Sequence, residues 1–200
     1  MNLTFVKNKK EIFKATSWAG YVGIMTGMIV GEKISKYSVS LNYRRSDGTL
    51  LGNVQRAMAL KWPIGYLIRE VLECGYTYQH AKKVFKTYQL ISPCYVTMCN
   101  QDGASCIIVR NPDSCVKLIN SRKHVCQTNI DPDCNDPYKN IMYSIERRGL
   151  VNNIISNDSS KWKSYSDVVE SFSQYPIIND ITIYCVLMDP KNGLYLSFIP

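Results

Sequence analysis

The hydrophobic period changes along the chain, from two to helical and back, and this alternation limits the folds open to it. Before residue 44 the apolar residues fall in short runs rich in β-branched and aromatic side chains. These are Thr4 to Val6, Ile12 to Trp18, Tyr21 to Thr26 and Tyr37 to Asn42, with Gly20, Gly27 and Gly31 as turn or bulge positions. Ser38-Val39-Ser40-Leu41 alternates polar and apolar, as a strand with one buried face does. Arg44 to Gly48 reads as a turn. From Leu50 to Tyr88 the spacing becomes helical: Val54 and Met58, then Ile64, Leu67, Ile68, Val71 and Leu72. Pro63 suits a first helical turn and Gly75 a stop. Tyr78, Ala81, Val84 and Phe85 mark a further helix, with Thr77 as its N-cap.

Strand character returns at Cys94 to Cys99, Ser105 to Arg110, Cys115 to Asn120 and His124 to Thr128, with turn chemistry at Asn100 to Gly103 and Asn111 to Asp113. A segment rich in Pro, Asp and Asn, Asp131 to Pro137, leads to a helix expected over Tyr138 to Val151 and another from Ser166 to about Gln174. Strands Ile181 to Met188 and Leu194 to Phe198 follow, joined by a turn at Asp189 to Gly193. This order predicts an α+β fold with two β-layers covered by helices.

At 200 residues and 46% hydrophobic, the chain can bury one substantial core, so a single domain over residues 1–200 is expected. The net charge of +8 raises the question of a polyanionic partner. The cations are dispersed, however, as Lys7, Lys9 and Lys10; Arg44 and Arg45; Lys82 and Lys83; Arg147 and Arg148; Lys161 and Lys163. No nucleic-acid-binding motif accompanies them, which argues against nucleic acid and leaves an anionic membrane surface as a partner to consider. The longest apolar stretch, Tyr21 to Val30, is short and broken by Gly23 and Gly27, so it does not span a bilayer.

The start, MNLTFVKNKK, has no apolar core ahead of its charges; the expectation is a chain without a secretory signal, cytosolic as given, or one whose upstream part is separate. Eight cysteines and two histidines, His80 and His124, offer no Cys-x-x-Cys pair, so no metal centre is expected. Cys94, Cys99, Cys106, Cys115, Cys126 and Cys185 read as small core residues, although spacing does not separate free thiols from disulfides. Asn2 and Asn157 open glycosylation acceptor triplets, relevant only on the secretory route.

Phe13 to Gly27 (FKATSWAGYVGIMTG), Tyr37 to Arg44 (YSVSLNYR), Val125 to Asp131 (VCQTNID), the Glu146-Arg147-Arg148 step and the strand ITIYCVLMD near the end occur in an order and at separations that make the chain similar to the acid ceramidase and N-acylethanolamine acid amidase family. The resemblance covers nearly the whole sequence. It implies an N-terminal-nucleophile hydrolase fold, an αββα sandwich, here incomplete, in which a lipid amide (ceramide or an N-acylethanolamine) is hydrolysed to fatty acid and amine without a cofactor. It also implies a lysosomal or secretory setting. The nucleophile of that family is a chain-opening cysteine whose own α-amine serves as the base. The family's Cys-Thr-Ser strand and Gly-Arg-Asn-x-Asp segment have no counterpart in these residues, so this chain alone is expected to be inactive.

By the same resemblance Asn129 holds the oxyanion and Arg148 is the active-site arginine, while Tyr43 replaces a glutamate. Trp18, Tyr21 and Met25 would border the acyl-chain channel. Turn chemistry at Asn129 and a helix-end surface arginine at Arg148 account for those residues equally well. If the family roles hold, both side chains should face one concavity bordered by Tyr43 and walled by the Trp18 to Met25 segment. Two functions remain open: a lipid-amide hydrolase whose cysteine comes from a separate polypeptide, and a degenerate homologue that binds a lipid or a protein partner.

Overall fold

The computed structural model describes residues 1–31, 35–45 and 49–200. The last three residues of the turn expected over Arg44 to Gly48 lie outside the described residues. Seven strands, β1 (Asn2–Lys7), β2 (Lys10–Thr16), β3 (Thr26–Ile29), β4 (Tyr37–Tyr43), β5 (Cys94–Asn100), β6 (Ser105–Arg110) and β7 (Cys115–Ser121), pair in sequence order in one antiparallel sheet. Local chemistry sets the hairpins. Asn8 and Lys9, at φ of 52° and 63°, are the two left-handed residues that a tight turn between twisted antiparallel strands requires. Between β5 and β6 the Asn100 side chain accepts from the amides of Asp102 (3.0 Å) and Ala104 (2.8 Å).

One face of the sheet is covered by α2 (Ile64–Cys74) and α3 (Tyr78–Thr87). Leu67, Ile68, Val71 and Leu72 of α2 and Ala81, Val84 and Phe85 of α3 pack on Phe13, Ala15, Tyr37, Val39, Val96, Met98 and Ile108. Period-two alternation supplies the strand half of this core and helical spacing the other half. The helices end where the sequence signals: Gly75 is left-handed at the end of α2, and the Thr77 hydroxyl accepts from the His80 amide at 3.3 Å to start α3. Gly27 lets α2 approach closely, since a Cβ there would stand 2.7 Å from Leu72 Cδ1.

The opposite face carries buried hydroxyls, among them Thr16, Thr26, Ser38 and Ser105. A hairpin of β8 (Cys185–Asp189) and β9 (Leu194–Phe198) lies against part of it. The Tyr195 hydroxyl meets the Thr16 hydroxyl at 2.8 Å, and the Tyr184 hydroxyl meets that of Thr26 at 3.5 Å. Helix α5 (Tyr165–Phe172) is tied to this hairpin, Tyr165 donating to Asp189 Oδ2 at 2.7 Å, and α4 (Ser144–Asp158) contacts α5. The result is an α+β sandwich whose second sheet has two strands among the described residues.

Four expected elements differ. Tyr21 to Met25 is a loop, because its polar groups bond elsewhere: Ser17 Oγ donates to Gly23 O at 2.9 Å, and Ile24 N to Gly65 O of α2 at 2.9 Å. Its apolar character reflects packing on α2 rather than pairing. His124 to Thr128 is also irregular, as is the start of the expected final hairpin, Ile181 to Tyr184. The helix expected from Tyr138 begins at Ser144 instead, after a single tight turn at Pro137–Lys139, because Met142 and Tyr143 are left-handed.

Arg110 is fully buried at the end of β6. Its guanidinium donates to the carbonyls of Tyr88 (2.6 Å), Ser114 (3.1 Å), Pro112 (3.3 Å) and Phe85, capping α3 and the β6–β7 turn together. Arg110→Met keeps much of the volume and leaves these carbonyls without donors. Urea unfolding should show a loss of about 3 kcal/mol, the scale for orphaning several buried acceptors. A loss below about 1 kcal/mol would mean that water replaces the guanidinium.

A candidate active site around Asn129

The segment between β7 and α4 has little regular structure, so side chains hold it in place. Arg44, buried just past the end of β4, grips Asp131 with two bonds, Nε to Oδ1 at 2.7 Å and Nη2 to Oδ2 at 2.9 Å. Its Nη1 donates to Asn111 Oδ1 at 2.6 Å, and Tyr95 of β5 adds a 2.7 Å bond to Asp131 Oδ1. These donors hold the Asp131 carboxyl below its usual range, Arg44 foremost. Burial, reinforced by Asp131, raises the Tyr95 hydroxyl.

Two residues before Asp131, Asn129 is fixed at three atoms. Its amide N donates to Ser144 Oγ (3.2 Å), Nδ2 donates to the Tyr43 carbonyl (3.0 Å), and Oδ1 accepts from Arg147 Nη2 (2.8 Å). Arg147 also donates to the Met142 carbonyl (2.8 Å) and to Ser144 Oγ (3.2 Å). All its bonded acceptors are neutral, and desolvation pushes the Arg147 pKa down. Asn129 Nδ2 retains a second N–H with no partner among the described residues. The geometry is that of a positioned amide donor, backed by a desolvated cation.

A pocket of about 430 Å³ opens beside this pair, with Trp18, Met25, Leu41, Met142, Ile177 and Ile183 as its apolar side and Asn179, Thr182 and Tyr184 as its polar one. Trp18 and Met25 thus line this pocket, whereas the Tyr21 ring meets Tyr66 edge-on at 6.0 Å, against α2. The arginine in the pocket is Arg147, whereas Arg148 turns to the loop and donates to the carbonyls of Asp131 (3.1 Å), Pro132 (2.8 Å) and Cys134 (2.7 Å). Helical phase explains the exchange. The two arginines lie about 100° apart on α4, on opposite flanks of Ser144, so Arg147 reaches Asn129 and Arg148 reaches the loop. Tyr43 contributes only its backbone carbonyl, and its ring is exposed. Cys185 lines the pocket, but burial raises its thiol, which makes it a poor nucleophile.

On the other side of Asn129 a wider cleft of about 920 Å³ is lined largely by polar residues, including Arg44, Arg45, Arg56, Asn111, Asp136 and Lys139. No motif or period marks the Arg44–Asp131–Tyr95 cluster, whose members lie on three separate segments.

No protein-family model matches the chain. It is 31% identical over 209 residues to the acid ceramidases of Bos taurus and Homo sapiens, covering 100% of itself and 50% of each. It is also 31% identical over 194 residues to an uncharacterized protein of Acanthamoeba polyphaga mimivirus, covering 93% of itself and 58% of that protein. Among solved structures it resembles the Caenorhabditis elegans ortholog of N-acylethanolamine-hydrolyzing acid amidase, with a TM-score of 0.71 and 26% identity over 96% of this chain and 80% of that one. The chain thus spans about half the length of the curated relatives it matches.

The Arg44–Asp131 pair has a pH signature. A carboxyl whose folded pKa is depressed adds stability above its unfolded value, near 3.9, and loses it as pH falls through the folded value. Asp131→Asn strands the buried Arg44, but the Asp131 side chain is 45% exposed, so the cost is discounted. The variant should lose about 1–2 kcal/mol at pH 7. The gap from the parent in urea unfolding should narrow below about pH 4. A gap independent of pH would remove the ion pair as its cause.

Proposed function

The chain belongs to the acid ceramidase and N-acylethanolamine acid amidase family, and from that premise we propose that its Asn129 site serves hydrolysis of a lipid amide to a fatty acid and an amine. The observation that carries this reading is the fixed Asn129 amide, held between Tyr43 O and Arg147, at the mouth of a pocket with an apolar side. In this reading an acyl chain lies against Trp18, Met25, Leu41 and Met142, with the amide carbonyl oxygen beside the second N–H of Asn129 Nδ2. Arg147, bonded to Asn129 Oδ1, polarises that amide and adds positive potential where negative charge develops.

The cysteines within residues 1–200 are internal in this sequence, and in this proposal a segment outside these residues supplies a chain-opening cysteine. Its thiol passes a proton to its own amine and attacks the carbonyl carbon, forming an oxyanion held by Asn129. The C–N bond then breaks, the departing amine takes the proton, and water hydrolyses the thioester to the fatty acid.

The second reading, a degenerate lipid binder, draws support from Tyr43. Its exposed phenol stands where the resemblance implies a carboxylate, and only its backbone carbonyl reaches the site.

Residues 1–200 alone should hydrolyse neither a fluorogenic ceramide nor a fluorogenic N-acylethanolamine at acid or neutral pH. Turnover should appear on adding a polypeptide that carries the Cys-Thr-Ser and Gly-Arg-Asn-x-Asp segments. In that reconstituted form Asn129→Ala should lower kcat by about 10²–10³, the usual effect of removing one oxyanion donor. Arg147→Gln should also lower kcat, whereas Arg148→Gln should act mainly on thermal stability. Turnover by the chain alone, abolished by mutating an internal cysteine, would overturn the mechanism; lipid binding without turnover in the reconstituted form would favour the binder.

A further inference from the structure

Helix α1 (Leu50–Met58) holds an arginine in a fixed pose in the wall of the wide cleft beside Asn129. Arg56 Nε donates to Ile91 O at 2.7 Å, and Nη2 donates to Asn53 Oδ1 at 2.7 Å, so the side chain lies back along its own helix. Gly52, one turn earlier, leaves it room: a Cβ there would stand 3.3 Å from Arg56 Nη1 and 3.4 Å from Nη2. Both bonded acceptors are neutral, and neither bond uses Nη1. Arg45 and Lys139 line the same cleft, and none of the three cations pairs with a carboxylate among the described residues. The carboxylates of the cleft are engaged or remote from these cations. Asp131 is gripped by Arg44, Asp136 accepts from the Tyr138 amide at 3.0 Å, and Asp113 is exposed to solvent.

We infer, resting on the proposed function, that the amine half of the substrate carries an acidic group, a carboxylate or a phosphate ester, and that Arg56 receives it with Arg45 and Lys139. Asn129 and Arg56 line one cleft, so a molecule whose carbonyl meets the Asn129 amide extends its amine half toward the guanidinium. The cleft encloses about 920 Å³. An ethanolamine half, with the volume of roughly four waters, leaves most of that space to solvent. A long-chain base lays an apolar tail against unpaired cations and strips their water without replacing it. An anionic group instead gains charge-assisted bonds to donors that stand ready. Because Ile91 O and Asn53 Oδ1 already fix the Arg56 side chain, little of its freedom is lost on binding. Arg44 does not compete for the anion, since its paired bonds are spent on Asp131.

Calorimetric titration of the chain near neutral pH with N-octanoylethanolamine, its phosphate monoester and N-octanoylglycine tests this, since the three probes share one acyl chain. The better of the two anionic probes should bind at least about tenfold tighter than the neutral one, the scale of a hydrogen bond to a charged group. Which of them binds better tells phosphate from carboxylate. The advantage should shrink at high salt, and inorganic phosphate should compete with the anionic probes but not with the neutral one. Arg56→Gln should abolish the advantage and leave the affinity for N-octanoylethanolamine unchanged. Arg45→Gln, at an exposed side chain, should reduce the advantage with no change in melting temperature, and it decides the matter if Arg56→Gln proves unstable. Equal affinities for neutral and anionic probes, an anionic advantage that both variants keep, or no binding of either anionic probe overturns the inference. In the reconstituted form, a kcat untouched by Asn129→Ala overturns the Asn129 reading instead, whatever the order of the probes. A kcat lowered about 10²–10³ by that change, with equal probe affinities, removes only the acidic amine half.

Discussion

The paired bonds from Arg44 to Asp131 decide where the candidate site of this protein sits. The stretch after β7 has few backbone hydrogen bonds of its own, and a chain without a ladder takes its position from side chains. Arg44 is buried at the end of a central strand, so its guanidinium is as rigid as the sheet. Bidentate geometry passes that rigidity to Asp131 and, two residues back, to Asn129. Arg148 grips the same stretch from α4 through the carbonyls of Asp131, Pro132 and Cys134. One cation uses a carboxylate and the other uses backbone oxygens, so the two grips do not compete for the same acceptors.

Arg147 plays the opposite part. It has lost water without gaining a carboxylate, and its bonded acceptors are Met142 O, Asn129 Oδ1 and Ser144 Oγ. A charge left in this state is costly at rest and most valuable to an anion that forms only during reaction. The backbone holds it there through two consecutive left-handed residues, Met142 and Tyr143, which bring the Met142 carbonyl to Arg147 Nε. Strain of this kind persists where the surroundings over-determine it, as the Ser144 bonds to Thr128 and Asn129 do here.

Six of the seven sheet strands and helices α2 and α3 were legible, because each has a clean period and conventional end signals. Tyr21 to Met25 was not, since β-branched and aromatic content reports burial and not pairing; Ile24 is fully buried against α2 without a strand partner. Of the residues that line the pocket beside Arg147, Asn129, Trp18 and Met25 could be named from their motif neighbourhoods. Choosing between Arg147 and Arg148 needed the phase of α4, which depends on the left-handed start that no composition signal announced. Arg44 with Asp131 lay beyond reach for another reason: their contact spans 87 residues and obeys no period.

The two cavities that meet at Asn129 differ in character, and the difference bears on the proposed substrate. A lipid amide is divided at its carbonyl into an apolar chain and a polar amine. Leu41, Ile177 and Ile183 suit the first half on one side of Asn129, and Asn111, Asp136 and Lys139 suit the second half on the other. A molecule apolar throughout would leave the wide cleft's charges unpaired, and a fully polar one would desolvate against Trp18 and Met142. An amphiphile whose change of polarity coincides with its reactive carbon satisfies both sides at once.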